Sequence, residues 1–164
     1  MTLRPLYEAS FSIALALLLL ASTGCGDTIE IGELDPRIVS VGPLDHQDGV
    51  ATLSYGLNDP AGNDVDLTFH ICDPDFNTCG PAVQQARESD GTVGIPTYPG
   101  GTDVTRHFAW HLGCGRLVND QETAFELETP YVVRITLTQG ADEAVSAPFS
   151  LREDLGLIEL PLCP

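Results

Sequence analysis

The side chains of this chain that are best suited to chemistry are its cysteines, four of which follow residue 70. Cysteine pairs persist as disulfides in oxidising compartments, whereas free thiolates bind metals or act as nucleophiles. If the chain is exported, the even count predicts two disulfides, for which three connectivities are possible. The short spacing favours a bond between Cys72 and Cys79, which leaves Cys114 and Cys163 as the second pair.

A transition-metal site is the alternative use of these cysteines. His70, Cys72 and Cys79 supply soft ligands for zinc or copper, and His107 and His111 supply further imidazoles. The gap between the two cysteines, however, is longer than the two to four residues typical of structural zinc sites. Four residues of strand also separate His107 from His111 by about 13 Å. The disulfides are therefore the preferred interpretation.

Calcium is the cofactor that the acidic turns could hold. Carboxylates and amides crowd one turn, at Asp59, Asn63, Asp64 and Asp66, and a second loop, at Asp73, Asp75 and Asn77. Such oxygens are calcium ligands, but neither segment has the spacing of an EF-hand loop. Because turns favour Asp and Asn for conformational reasons, a purely structural role competes with calcium binding. No other cofactor is predicted.

Catalytic motifs are not found in the sequence. It contains no Gly-x-Ser-x-Gly elbow, no His-Glu-x-x-His and no phosphate-binding glycine loop. Cys114 between two glycines, near His111, could act as an exposed nucleophile, but a disulfide is favoured in an oxidising compartment. We therefore predict that the protein is not an enzyme.

The N-terminus is typical of an export signal. Residues 1–24 contain Arg4 and an apolar run, Phe11–Ala21, that would rise only about 16 Å as a helix, roughly half the thickness of a bilayer core. Ser22-Thr-Gly-Cys25 follows, and it resembles a bacterial lipobox, although Ser22 stands where that family prefers Leu. The resemblance implies that Cys25 is lipidated and becomes the mature N-terminus. In Gram-negative lipoproteins an Asp directly after the lipidated cysteine often signals retention in the inner membrane. Because Gly26 stands there, the resemblance favours the outer membrane. Ordinary secretion and an uncleaved helix are the alternatives.

Charge limits the partners. The net charge is −17, the basic residues are seven arginines without a lysine, and the acidic residues are spread along the chain. Such a chain repels nucleic acid and anionic lipid headgroups. The predicted partners are the membrane, through lipid on Cys25, and an envelope protein or glycan. Residues 25–36 would form the lipidated N-terminus and an acidic tether.

Residues 37–164 show the period-two alternation of half-buried strands and no helical period. The runs 51–57 and 65–71 flank a cluster of turn formers and predict a β-hairpin, in which Cys72 would face out of the core. The runs 131–137 and 145–151 predict a second hairpin, and Pro148 places its last strand at a sheet edge. This pattern predicts an all-β fold, a two-sheet antiparallel β-sandwich.

Three segments resemble fibronectin type III and related immunoglobulin-like modules of exported bacterial proteins. They are Tyr55–Phe69, His107–Trp110 and Pro130–Thr136. The resemblance implies that Tyr131 ties a corner through its hydroxyl and that Trp110 is a core aromatic.

Two segments depart from such modules. The segment 113–128 is longer than these modules need, and 155–163 could add a strand. Because long loops often carry function, Arg116 and Phe125 are predicted to be exposed partner contacts. The predicted function is a non-catalytic binding or structural module of an envelope lipoprotein. A calcium-dependent adhesion module and a secreted enzyme of unrecognised type are the alternatives.

Overall fold

The structure, a computed structural model, describes residues 35–164. The predictions for the signal peptide 1–24, for Cys25 and for most of the tether lie outside the described residues. Within the described part the strands are β1 (Arg37–Gln47), β2 (Val50–Asn58), β3 (Leu67–Cys72), β4 (Cys79–Gly80), β5 (Val104–His111), β6 (Arg116–Val118), β7 (Gln121–Thr123), β8 (Val132–Leu137) and β9 (Glu143–Val145). A 3-10 turn, Leu112–Cys114, follows β5.

The prediction of an all-β fold with antiparallel pairing is confirmed. Residues 35–164 contain no α-helix, and every strand pair is antiparallel. One sheet has the order β1-β2-β5 and a second has the order β4-β3-β8-β9, as expected of a sandwich. A third, two-stranded sheet, β6-β7, was not predicted; it lies inside the segment 113–128. No helix in the described range is long and apolar enough to cross a membrane.

The hairpin predicted from 51–57 and 65–71 is wrong. β2 pairs with β1 and β5, whereas β3 lies in the other sheet, so the intervening turn residues carry the chain between sheets. The hairpin partner of β2 is β1, and Asp48 and Gly49 join them. Both residues have positive φ, the type I′ geometry that matches the strand twist.

The antiparallel pairing predicted for the second hairpin is confirmed, but its last strand is Glu143–Val145 and not 145–151. β9 pairs with β8 at the edge of the four-stranded sheet, and Tyr131 and Phe149 add one isolated bridge further on. Pro148 lies beyond the end of β9 and so interrupts no ladder.

The two larger sheets share one hydrophobic core. Inward residues of β2 alternate with half-buried ones, and their side chains meet those of β3, β5 and β8. Phe69 of β3 stacks on Phe108 of β5 at a centroid distance of 4.0 Å, and Trp110 continues the stack. Trp110 is completely buried, so its prediction as a core aromatic is confirmed.

The C-terminal tail does not form the extra strand that was predicted. Residues 155–163 have no strand pairing, yet Leu155, Leu157 and Leu160 pack against the core. Pro161 passes so close to Gly113 that any β-carbon there would collide with the tail backbone. The tail is thus an irregular segment laid over the end of the domain.

Candidate functional site

Both predicted disulfides are present. Cys72 bonds Cys79 across β3 and β4, and Cys114 bonds Cys163, which fastens the tail beside the 3-10 turn. The prediction that Cys72 faces out of the core needs correction. Its side chain is turned away from that of Ile71, but the residue is completely buried.

The transition-metal alternative loses its thiolate ligands, because Cys72 and Cys79 are bonded to each other. The histidines are also dispersed: His70 lies on β3, whereas His107 lies on β5, in the other sheet, 3.6 Å from Asp90. In residues 35–164 no three or more His, Cys, Asp or Glu side chains come together as a metal-binding group.

The calcium candidates are not gathered into one site either. Asp59 is buried, and its two carboxylate oxygens accept the backbone N–H groups of Ala61 and Asn63 at 2.9 and 2.7 Å. Asp66 instead accepts from the backbone of Gly94, while Asn63 and Asp64 are exposed. The side chains of Asp59 and Asp66 thus organise the segment between the sheets. In the second loop, Asp73 likewise accepts from Asn77 and Thr78.

Arg116 was predicted to be exposed, and this is wrong. It is 6 % exposed, and its Nη1 donates to the carbonyls of Ile71 and Thr78 at 2.6 and 3.1 Å. The guanidinium also lies 5.0 Å from the centre of the Tyr131 ring. Arg116 is therefore a structural link from β6 to the disulfide loop, because backbone carbonyls and an aromatic face stabilise its buried charge.

Phe125 was also predicted to be exposed and is 3 % exposed instead. Its ring forms a T-shaped pair with that of Tyr131 at a centroid distance of 5.3 Å. The hydroxyl of Tyr131 accepts the backbone N–H of Glu126 at 2.8 Å. The corner bond predicted for Tyr131 is confirmed, and it holds residues 125–126 against the sandwich.

A groove opens between this corner and the tail. Its lining comprises Phe125–Thr129, Arg152 and Ile158–Leu160, and we call it the tail groove. Its volume is about 490 Å³. The backbone N–H of Arg152 donates to the carbonyl of Leu127 at 2.9 Å, which fixes Arg152 against the corner side of the groove.

The tail groove combines an apolar floor with an acidic rim. Phe125 is buried, Leu127 and Leu160 are half-buried, and Ile158 is exposed. Glu126, Glu128 and Glu159 are all exposed along it, and Arg152 pairs with Glu128 at 3.2 Å. The arrangement can bury an apolar side chain and attract a cation.

A second surface feature lies on the outer face of the four-stranded sheet. Arg134 stands between His70, 3.5 Å away, and the exposed ring of Phe76, 5.9 Å away. Burial, and after it the nearby Arg134 charge, lower the pKa of His70 below its ordinary 6.5. His70 is therefore neutral at pH 7.

Comparison with known proteins adds no assignment for this site. No protein-family model matches the sequence, and no curated protein matches it.

Proposed function

We propose that this chain is a lipoprotein of the bacterial cell envelope whose domain is an immunoglobulin-like, fibronectin type III-like module that binds partners or serves as a structural element without catalysis. The observation that carries the anchor is Ser22-Thr-Gly-Cys25 directly after the apolar run Phe11–Ala21. Two or three acyl chains on Cys25 would hold the protein stably, since one chain binds a bilayer only marginally.

The domain supports the module assignment through its construction. Two antiparallel sheets enclose one core, and the Tyr131 hydroxyl closes a corner on the backbone five residues upstream. Such a bond is found in immunoglobulin-like sandwiches. Two disulfides suit an exported domain.

The non-catalytic role is supported by what the reactive side chains do. Cys114, the candidate nucleophile, is bonded to Cys163. The carboxylate of Asp59 accepts hydrogen bonds from backbone N–H groups of its own turn. The tail groove offers a surface for a partner instead of a reacting centre.

The intact mass of protein purified from its own membranes tests this proposal. We expect a chain that begins at Cys25, carries the mass of acyl groups and is four hydrogens lighter than the reduced form. The Cys25→Ala variant is the control, and it should carry no acyl mass at any stage of processing. A wild-type chain that is cleaved without added lipid would show a freely secreted domain and refute the anchor.

A further inference from the structure

The tail groove presents apolar surface in a fixed position. Ile158 is 87 % exposed, and it lines the groove together with the half-buried Leu127 and Leu160. The segment that carries it is fastened by the Cys114–Cys163 bond and by the packing of Leu157 and Leu160 against the core. A partner would therefore meet a preorganised surface, and little conformational entropy would be lost on binding.

The rim of the tail groove is negatively charged. Three exposed glutamates border the groove against a single arginine, which already pairs with Glu128. The whole chain adds a net charge of −17, so the long-range field has the same sign as the local one. Charges of opposite sign on a partner would be steered toward the groove.

The same field disfavours other occupants. A second copy of the chain carries the same −17 charge, and the tether contributes Asp27, Glu30 and Glu33. Anionic lipid headgroups would be repelled as well. We propose that the tail groove binds a protein segment in which an apolar side chain, flanked by Lys or Arg, packs against Ile158 while its cations face the glutamates. This inference rests on the proposed binding role and names its partner chemistry.

The test uses the intact lipidated protein in phosphatidylcholine vesicles, with empty vesicles as the blank. The probe is a fluorescent peptide with a central Ile-Leu-Ile flanked by lysines, and anisotropy reports its binding. The Ile158→Ser variant should bind it at least about tenfold more weakly, since one apolar contact is lost. Val93→Ser is the matched control, because Val93 is 76 % exposed and lies outside the groove.

Charge is tested by a second pair of variants. Glu159→Gln should weaken binding by a few-fold at low salt and much less at high salt, because salt screens exposed charges. Glu122→Gln, which changes another exposed glutamate, on β7 and outside the groove, should leave binding unchanged.

Three results would overturn the inference. One is that a lysine-flanked peptide with a Ser-Ser-Ser centre binds as tightly as the Ile-Leu-Ile peptide, which would mean that the lysines alone are attracted to the acidic domain. Another is equal binding by Ile158→Ser and Val93→Ser. The third is a dimer in sedimentation that Ile158→Ser abolishes, which would place a second copy in the groove. The intact mass of the same preparation reports the lipid anchor separately, so failure of the groove and failure of the envelope role are distinguishable.

Discussion

The bond that fastens the tail should be the larger of the two disulfide contributions to stability. Cys114 and Cys163 are separated by 49 positions, so the bond closes a loop of about 50 residues. In the chain-entropy model this restricts the unfolded chain by about 14 cal/mol/K, or about 4 kcal/mol at 25 °C. The double variant Cys114→Ser, Cys163→Ser should lose that amount of unfolding free energy and melt roughly 15 °C lower.

Urea unfolding of the oxidised protein, followed by the fluorescence of the buried Trp110, measures the loss. The comparison variant is Cys72→Ala, Cys79→Ala, whose separation of 7 predicts about 2.5 kcal/mol from the same model. Alanine is chosen there because Cys72 is buried. A loss below about 1.5 kcal/mol for the Cys114–Cys163 pair would refute the argument that restriction of the unfolded chain dominates. A loss smaller than that of the comparison variant would do the same.

Three further outcomes follow from single contacts. Tyr131→Phe should lower stability by about 1–2 kcal/mol, because the Glu126 N–H loses its acceptor, and a thermal melt should show it. Asp59→Asn should cost about 1–2 kcal/mol by weakening two backbone hydrogen bonds, and added calcium should not shift the melt of either form. Folding lowers the pKa of His70, so the neutral side chain contributes fully to the free energy of unfolding above pH 6.5, the pKa of the unfolded chain. That contribution is lost as the pH falls through the lower pKa of the folded protein. Unfolding of wild type and His70→Asn between pH 7 and pH 5 measures this; an equal decline in both would contradict it.

Strand positions could be predicted from the sequence because a buried face leaves a period-two pattern. The alternation at 51–57, 65–71 and 131–137 identified β2, β3 and β8 closely. Pairing is a different matter, because alternation specifies which face of a strand is buried and not which strand lies beside it. The turn-rich segment after β2 carries the chain between sheets. The sharper hairpin signal was Asp48-Gly49, a dipeptide suited to positive φ at both positions.

A second pair of turn-forming residues, Asn119-Asp120, stands within the segment predicted to be a long loop. Asn119 and Asp120 both have positive φ and join β6 to β7. Asn and Asp tolerate positive φ, so a turn could be predicted at these two positions. The pairing of β6 with β7 was not predicted, because Asn119-Asp120 lacks the glycine of the usual hairpin dipeptides.

The burial of Arg116 could not be predicted from the residues next to it in the sequence. Its acceptors are carbonyls 45 and 38 positions earlier, and its aromatic contact is Tyr131. An arginine in a polar segment is normally solvated, because burying its charge requires partners that local patterns do not encode. The tail presented the converse problem, since its leucines suggested a strand. Leu155, Leu157 and Leu160 are half-buried by packing against the core, without strand pairing.

The charge balance and the tail groove have separable physical consequences. Seven basic residues cannot neutralise 24 acidic ones, and Arg106 and Arg116 donate to carbonyls. Most carboxylates therefore stay solvated, and their combined field acts before contact, on the association rate. Ile158 acts after contact, on the dissociation rate. Salt should thus slow association of the lysine-flanked peptide, whereas Ile158→Ser should speed its dissociation. A groove that served only as part of an acidic surface would leave dissociation unchanged in that variant.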